Sequence, residues 1–72
     1  MTGYVGITIC DGDRNPISTA YARYMKTALA DAVADAMYLV SEKRDTLYLR
    51  DCLGGLRAEV RLRDGEITVV RT

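Results

Sequence analysis

One stretch of this chain places oxygen-bearing side chains at a spacing that chemistry can use. In Ile9-Cys10-Asp11-Gly12-Asp13-Arg14-Asn15-Pro16, the side chains of Asp11, Asp13 and Asn15 fall at alternate positions directly after an apolar run. Carboxylates so placed suit a hard cation, and a tight corner of backbone N–H groups suits a phosphate. The rest of the chain gives such chemistry little support. Histidine, the commonest general base and metal ligand, is absent. No Cys-x-x-Cys pair, phosphate-binding glycine loop, nucleophile elbow or dinucleotide fingerprint occurs.

The spacing Asp11-x-Asp13-x-Asn15 resembles the opening of an EF-hand calcium loop. That loop needs Gly at its sixth position and a bidentate Glu at its twelfth, where this chain has Pro16 and Ala22. A strand followed by Asp-x-Asp also resembles the start of the haloacid-dehalogenase-type phosphatases. That likeness covers a few residues and implies a large parallel sheet and further motifs, which the chain lacks. Asp, Gly and Asn are equally what turns and helix caps prefer. The stretch reads as a corner between a strand and a helix. No catalytic residue, metal site or cofactor is expected, and the protein reads as non-enzymatic.

The elements around that corner follow from periodicity. Over residues 3–10, Val5, Ile7 and Ile9 alternate with Tyr4, Gly6 and Thr8, which predicts a strand with one buried face. From about 17 to 44 the period changes to 3.6. Tyr21, Met25, Ala28, Leu29, Ala32, Val33, Ala36, Leu39 and Val40 form one apolar stripe, and this predicts a long helix. Asn15 before Pro16, or Ser18, would cap its start, and Lys43 and Arg44 would suit its negative end. Three short strands follow at about 46–52, 56–63 and 66–71, joined at Gly54-Gly55 and Asp64-Gly65, both strong hairpin signals.

The register supports the meander. A turn at Asp64-Gly65 pairs Leu62 with Ile67 and Val60 with Val69; a turn at Gly54-Gly55 pairs Leu49 with Val60 and Leu47 with Leu62. All of these side chains are apolar and fall on one face. The expected fold is a single α+β domain of order β-α-β-β-β, with one long helix on one face of a mostly antiparallel four-stranded sheet. The helix should connect parallel strands. The first strand may lie beside the second or join the far edge at the fourth; Cys10 and Cys52 would end parallel strands, as reduced thiols that come close only if those strands adjoin.

With no catalytic set, two surfaces remain for function. Tyr24, Asp31, Asp35, Tyr38 and Glu42 lie along a flank of the predicted helix, an acidic–aromatic ridge suited to a protein partner, and Tyr21 joins them from the exposed start of the apolar stripe. A helix of some 26 residues would overhang the sheet and expose apolar area, so homodimerisation is expected as well. The open sheet face carries Tyr48, Arg50, Arg57, Arg61 and Arg63, with Arg50 expected opposite Glu59, Tyr48 opposite Arg61 and Arg63 opposite Glu66. Arg and Tyr dominate binding hot spots, and they also suit single-stranded nucleic acid.

Composition weighs against the nucleic-acid alternative. The 72 residues include ten bases and ten acids, whereas duplex affinity depends largely on neutralising phosphates. No stretch has the length and apolarity of a membrane span or a secretion signal, so a cytoplasmic location is expected. The function indicated is that of a small protein-binding module, an accessory or inhibitor protein. Phage-encoded antagonists such as anti-CRISPR proteins are of this size.

Overall fold

Two loops with the same hydrogen-bond pattern set two of the three hairpins of this fold. The computed structural model describes residues 3–72. Its elements are β1 (Val5–Cys10), β2 (Pro16–Ala22), α1 (Met25–Leu39), β3 (Thr46–Arg50), β4 (Leu56–Arg63) and β5 (Glu66–Arg71). The strands form one antiparallel sheet in the order β2-β1-β3-β4-β5, and α1 packs on one of its faces. The α+β class and the three C-terminal strands agree with the sequence reading; the sheet has five strands rather than four.

The fifth strand comes from the segment read as the start of the helix. Ile17 and Thr19 alternate with Ser18 and Ala20, and the chain from Pro16 to Ala22 runs back along β1. Pro16 can begin this strand because β2 is at the sheet edge and its missing N–H leaves no ladder bond unmade. The helix is therefore 15 residues long, about 22 Å, and has no overhang. Neither Asn15 nor Ser18 caps it. Its N-cap is Tyr24, with no side-chain cap bond, and no basic residue lies in its last turn. Lys43 and Arg44 belong to the following loop. Packing, not capping, holds this helix: Ala28, Ala32 and Ala36 are fully buried against the sheet and Val33 nearly so.

The helix does connect parallel strands, but these are β2 and β3. Both run antiparallel to β1, which lies between them. Cys10, opposite Tyr48, and Cys52, beyond Arg50, thus sit at opposite ends of β3, the first buried and the second exposed. β1 and β3 do adjoin, but antiparallel rather than parallel, so the arrangement that would bring the two thiols together does not arise.

The corner at Asp11 is a hairpin loop, and it recurs at Asp51. In the first, Asp11 N–H donates to Asn15 O at 3.1 Å and Arg14 N–H to Asp11 O at 3.1 Å. In the second, Asp51 N–H donates to Gly55 O at 2.9 Å and Gly54 N–H to Asp51 O at 3.0 Å. Each aspartate then clamps its own loop. Asp11 Oδ1 accepts from the N–H groups of Asp13 and Asn15, and Asp51 Oδ1 from those of Leu53 and Gly55. Both loops are followed by a one-residue register shift, so that Cys10 pairs with Pro16 and Arg50 with Leu56.

That shift corrects the register of the second hairpin. Leu49 faces Ala58 and Leu47 faces Val60, two residues from the pairing expected of a Gly54-Gly55 turn. Because the side-chain period is two, the apolar set stays on the helix side. The Asp64-Gly65 hairpin forms as expected, with Leu62 opposite Ile67 and Val60 opposite Val69. Ile7, Ile9, Leu47, Leu49 and Val60 make the fully buried centre.

The two loops differ in one costly detail. The fourth position has φ 86° at Gly54 but φ 64° at Arg14, and a side chain there costs roughly 1–2 kcal/mol. Arg14→Gly should raise stability by about 0.5–1 kcal/mol after the entropy that glycine itself loses. Urea denaturation checks this, and no gain would show that the Arg14 conformation is unstrained.

Candidate functional site

The strand registers gather exposed aromatic and basic side chains at one end of the sheet. Val5 pairs with Ala22, Gly6 with Tyr21, Thr8 with Arg50, and Ala58 with Arg71. The start of β1, the end of β2, the start of α1 and the β3–β4 loop therefore share an end. Tyr4, Tyr21 and Tyr24 are there, the last two 70% exposed, and Leu53 projects from the loop at 92% exposure.

Each of these side chains is displayed by local geometry. Tyr21 lies over Gly6: a Cβ on that glycine would stand 3.0 Å from the Tyr21 ring. The bare backbone gives the ring a flat seat on the open sheet face, the pairing that protects strand glycines. Tyr24 is extended at the helix N-cap. Leu53 occupies the third position of the clamped loop, whose backbone N–H is fixed by Asp51 at 3.0 Å.

The charges at this end are almost all positive. Arg23, Lys26, Arg50, Arg57 and Arg71 gather there with Asp51 as the one side-chain carboxylate among the described residues. Asp51 Oδ2 accepts from Arg57 Nε at 2.9 Å. Arg50 Nη1 donates to Gly54 O at 3.0 Å, while its Nε is enclosed without a partner. The uncapped helix N-terminus adds its own partial positive charge.

The other end is charged and mixed in sign. A cleft of about 330 Å³ opens there between the two charged loops, lined by Asp11, Asp13, Lys43, Arg44 and Asp45 among others. Asp11 is committed to its loop, and the N–H and side-chain amide of Asn15, with Asp13 N–H and the charge of Arg44, hold its carboxyl below the usual value. Among the described residues, no three His, Cys, Asp or Glu side chains converge as a metal site would require.

The two surfaces read from the sequence fare differently. Asp31, Asp35 and Tyr38 are exposed on α1, Tyr38 at 91%, so part of the ridge exists. Tyr21 lies in β2, Tyr24 at the cap and Glu42 in the loop after the helix, so they are not a continuous helical flank. On the open face, Tyr48 stands opposite Glu59 rather than Arg61, and Arg50 opposite Leu56 rather than Glu59. Arg61 instead reaches along its own strand to Glu59 at 2.7 Å, and this carboxylate raises its pKa. Arg63 faces Glu66 as expected. Leu53, Arg23, Lys26 and Arg71 are the residues that sequence reasoning missed, whereas strand parity already sets Tyr4 on the open sheet face. The run Asp-Cys-Leu-Gly-Gly, which repeats the spacing of Asp-Gly-Asp-Arg-Asn, was the available signal for Leu53 at a loop tip.

No protein-family model, curated protein or solved structure matches the chain. No helix among the described residues is long and apolar enough to cross a membrane.

The Asp51 clamp gives a pH test of the site's frame. Gly55 N–H, then the Arg57 guanidinium, then Leu53 N–H hold the carboxyl below its ordinary value of 3.8. A carboxylate lowered by folding contributes stability above its unfolded value, and that contribution is lost as pH falls through the folded value. Asp51→Asn should therefore flatten the acid limb of the melting-temperature profile below about pH 4. An acid limb as steep as in the parent chain would show that the clamp adds nothing.

Proposed function

We propose that this protein is a non-catalytic binding module that docks on an acidic protein surface through its basic, aromatic end. The supporting observation is the clustering of Tyr4, Tyr21, Tyr24 and Leu53, all exposed, among basic side chains whose one acidic neighbour among the described residues is Asp51. Exposed tyrosines are rigid and amphipathic, and arginines offer planar donors, so the two dominate interface energetics. An anionic partner with apolar side chains would meet complementary charge around an apolar centre. An accessory or inhibitor role, as a phage-encoded antagonist would have, suits a module that binds without a reaction of its own.

A second reading keeps the same residues and changes the partner. Tyr4 and Tyr21 on an open sheet with Arg50 nearby are also a platform on which single-stranded bases stack. The ion pairs weigh against it, because Asp51 and Glu59 already engage Arg57 and Arg61.

The test is affinity capture from the native host with three forms of the chain. The parent and an Asp35→Ala/Tyr38→Ala helix variant should retain the same partner, and Tyr24→Ala/Leu53→Asp should lose it at an unchanged melting temperature. Loss with the helix variant alone would move the site to the helix. Binding to single-stranded oligonucleotides at low salt, abolished by Arg23→Ala/Arg50→Ala, would replace the protein partner with nucleic acid.

A further inference from the structure

The sheet ends on two edge strands of different character. β2 begins at Pro16 and follows a register shift, devices that discourage a further strand from adding. β5 has neither. It carries no proline, and its register with β4 runs unbroken from Arg63–Glu66 to Ala58–Arg71. The helix packs chiefly on β1 and β2 and leaves β5 largely uncovered, so Ile67 is 39% exposed on the helix side; Val70, on the open face, is 37% exposed.

The hairpin fixes which backbone groups point outward. Asp64 and Gly65, with φ 52° and 79°, form a two-residue turn closed by Arg63 and Glu66. In such a turn the closing residues exchange hydrogen bonds, and the pairs alternate from there. Thr72 N–H donates to Arg57 O at 3.2 Å, which confirms the alternation at the far end. Glu66, Thr68 and Val70 thus bond to β4, and Ile67, Val69 and Arg71 turn their N–H and C=O groups to the open edge.

We propose that two copies of this chain join β5 to β5 about a two-fold axis, antiparallel, with Thr68 opposite the partner's Thr68. The register follows from three conditions. A two-fold axis normal to the sheet keeps both helices on one side, so only residues of like parity can face each other. Centring on Thr68 sets Ile67 against the partner's Val69 and Val69 against the partner's Ile67. These are the outward-bonding residues, and they supply about four new backbone hydrogen bonds beneath an apolar cluster. Centring on Val69 would instead set Ile67 against Arg71. Charge agrees as well: antiparallel pairing brings Arg71 to the partner's Asp64–Glu66 end, where parallel pairing would align like with like.

The occupant of this edge is a second copy because the strand is complementary to itself. The proposal does not rest on the docking role assigned to the basic end, with which it shares only Arg71. It replaces the helix overhang as the reason to expect self-association. The resulting ten-stranded sheet would hold two basic, aromatic ends pointing in opposite directions.

Three measurements test it, all in a Cys52→Ser background that removes the exposed thiol. Sedimentation equilibrium should show a monomer–dimer equilibrium between micromolar and millimolar chain. Ile67→Lys, with its circular dichroism unchanged, should raise the dissociation constant at least about tenfold. Thr68→Cys should oxidise to a covalent dimer, since non-hydrogen-bonded partners have Cα atoms about 4.5 Å apart, within disulfide reach. Val70→Cys, which faces the partner's Glu66, should not. A chain that stays monomeric at millimolar concentration, a dimer indifferent to Ile67→Lys, or cross-linking at 70 as fast as at 68 would each overturn the proposal.

Discussion

An α-helix is about 10 Å across and strands lie about 4.8 Å apart, so one helix shields two strands well and its neighbours in part. This sheet has five strands. The chain places α1 over β1 and β2, and alanine makes the close approach possible. Ala28, Ala32 and Ala36 bring the helix backbone down onto Ile7, Ile9 and Leu49, all at zero exposure. What the helix cannot reach must be polar, small or reserved for a partner. β5 and the open face are the remainder; the self-pairing edge lies on the first, and Tyr4 and Tyr21 of the basic end lie on the second.

The second constraint is the aspartate clamp. A hairpin whose loop ends in a bulge twists more strongly than one closed by a two-residue turn. Asp11 and Asp51 impose the same loop on two hairpins through the same pair of N–H bonds. The similarity extends to the unpaired residue after each loop, Ile17 in one and Arg57 in the other. Arg57 turns that position to use by pairing with Asp51. The stretch that suggests a cation site is therefore a backbone device, and its carboxylate is occupied by the chain's own N–H groups.

Much of the fold was legible because alternation survives errors of register. Residues 5–10 and 46–71 read as strands with the observed buried face, and the Asp64-Gly65 hairpin was placed to the residue. The pairing of β3 with β4 was read two residues out yet kept its face, since two is the strand period. Residues 16–22 failed for an identifiable reason. Ala20 and Ala22 are good helix formers, and Tyr21 to Met25 has helical spacing across what is a strand-to-helix boundary. Propensity and period agreed there, and the tertiary pairing with β1 overrode both. The basic end was not legible, because its members come from four separate segments that only the sheet order brings together.

The zero net charge illustrates the same point at the level of electrostatics. Ten acids and ten bases cancel in composition but not in space. Arg23, Lys26, Arg50, Arg57 and Arg71 share one end, while Asp11, Asp13, Glu42, Asp45, Asp64 and Glu66 outnumber Arg14, Lys43, Arg44 and Arg63 at the other. β4, eight residues long, sets the two ends about 26 Å apart, roughly three Debye lengths at physiological salt. A partner meeting one end is therefore screened from the other and encounters a positive surface on a neutral protein. Net charge excludes a strong overall field; it does not exclude a local one, and the local field decides which partners approach. The sequence reading that weighed against nucleic acid used the sum and left room for a local basic patch; recognition depends on the distribution that the hairpin loops and the sheet order create.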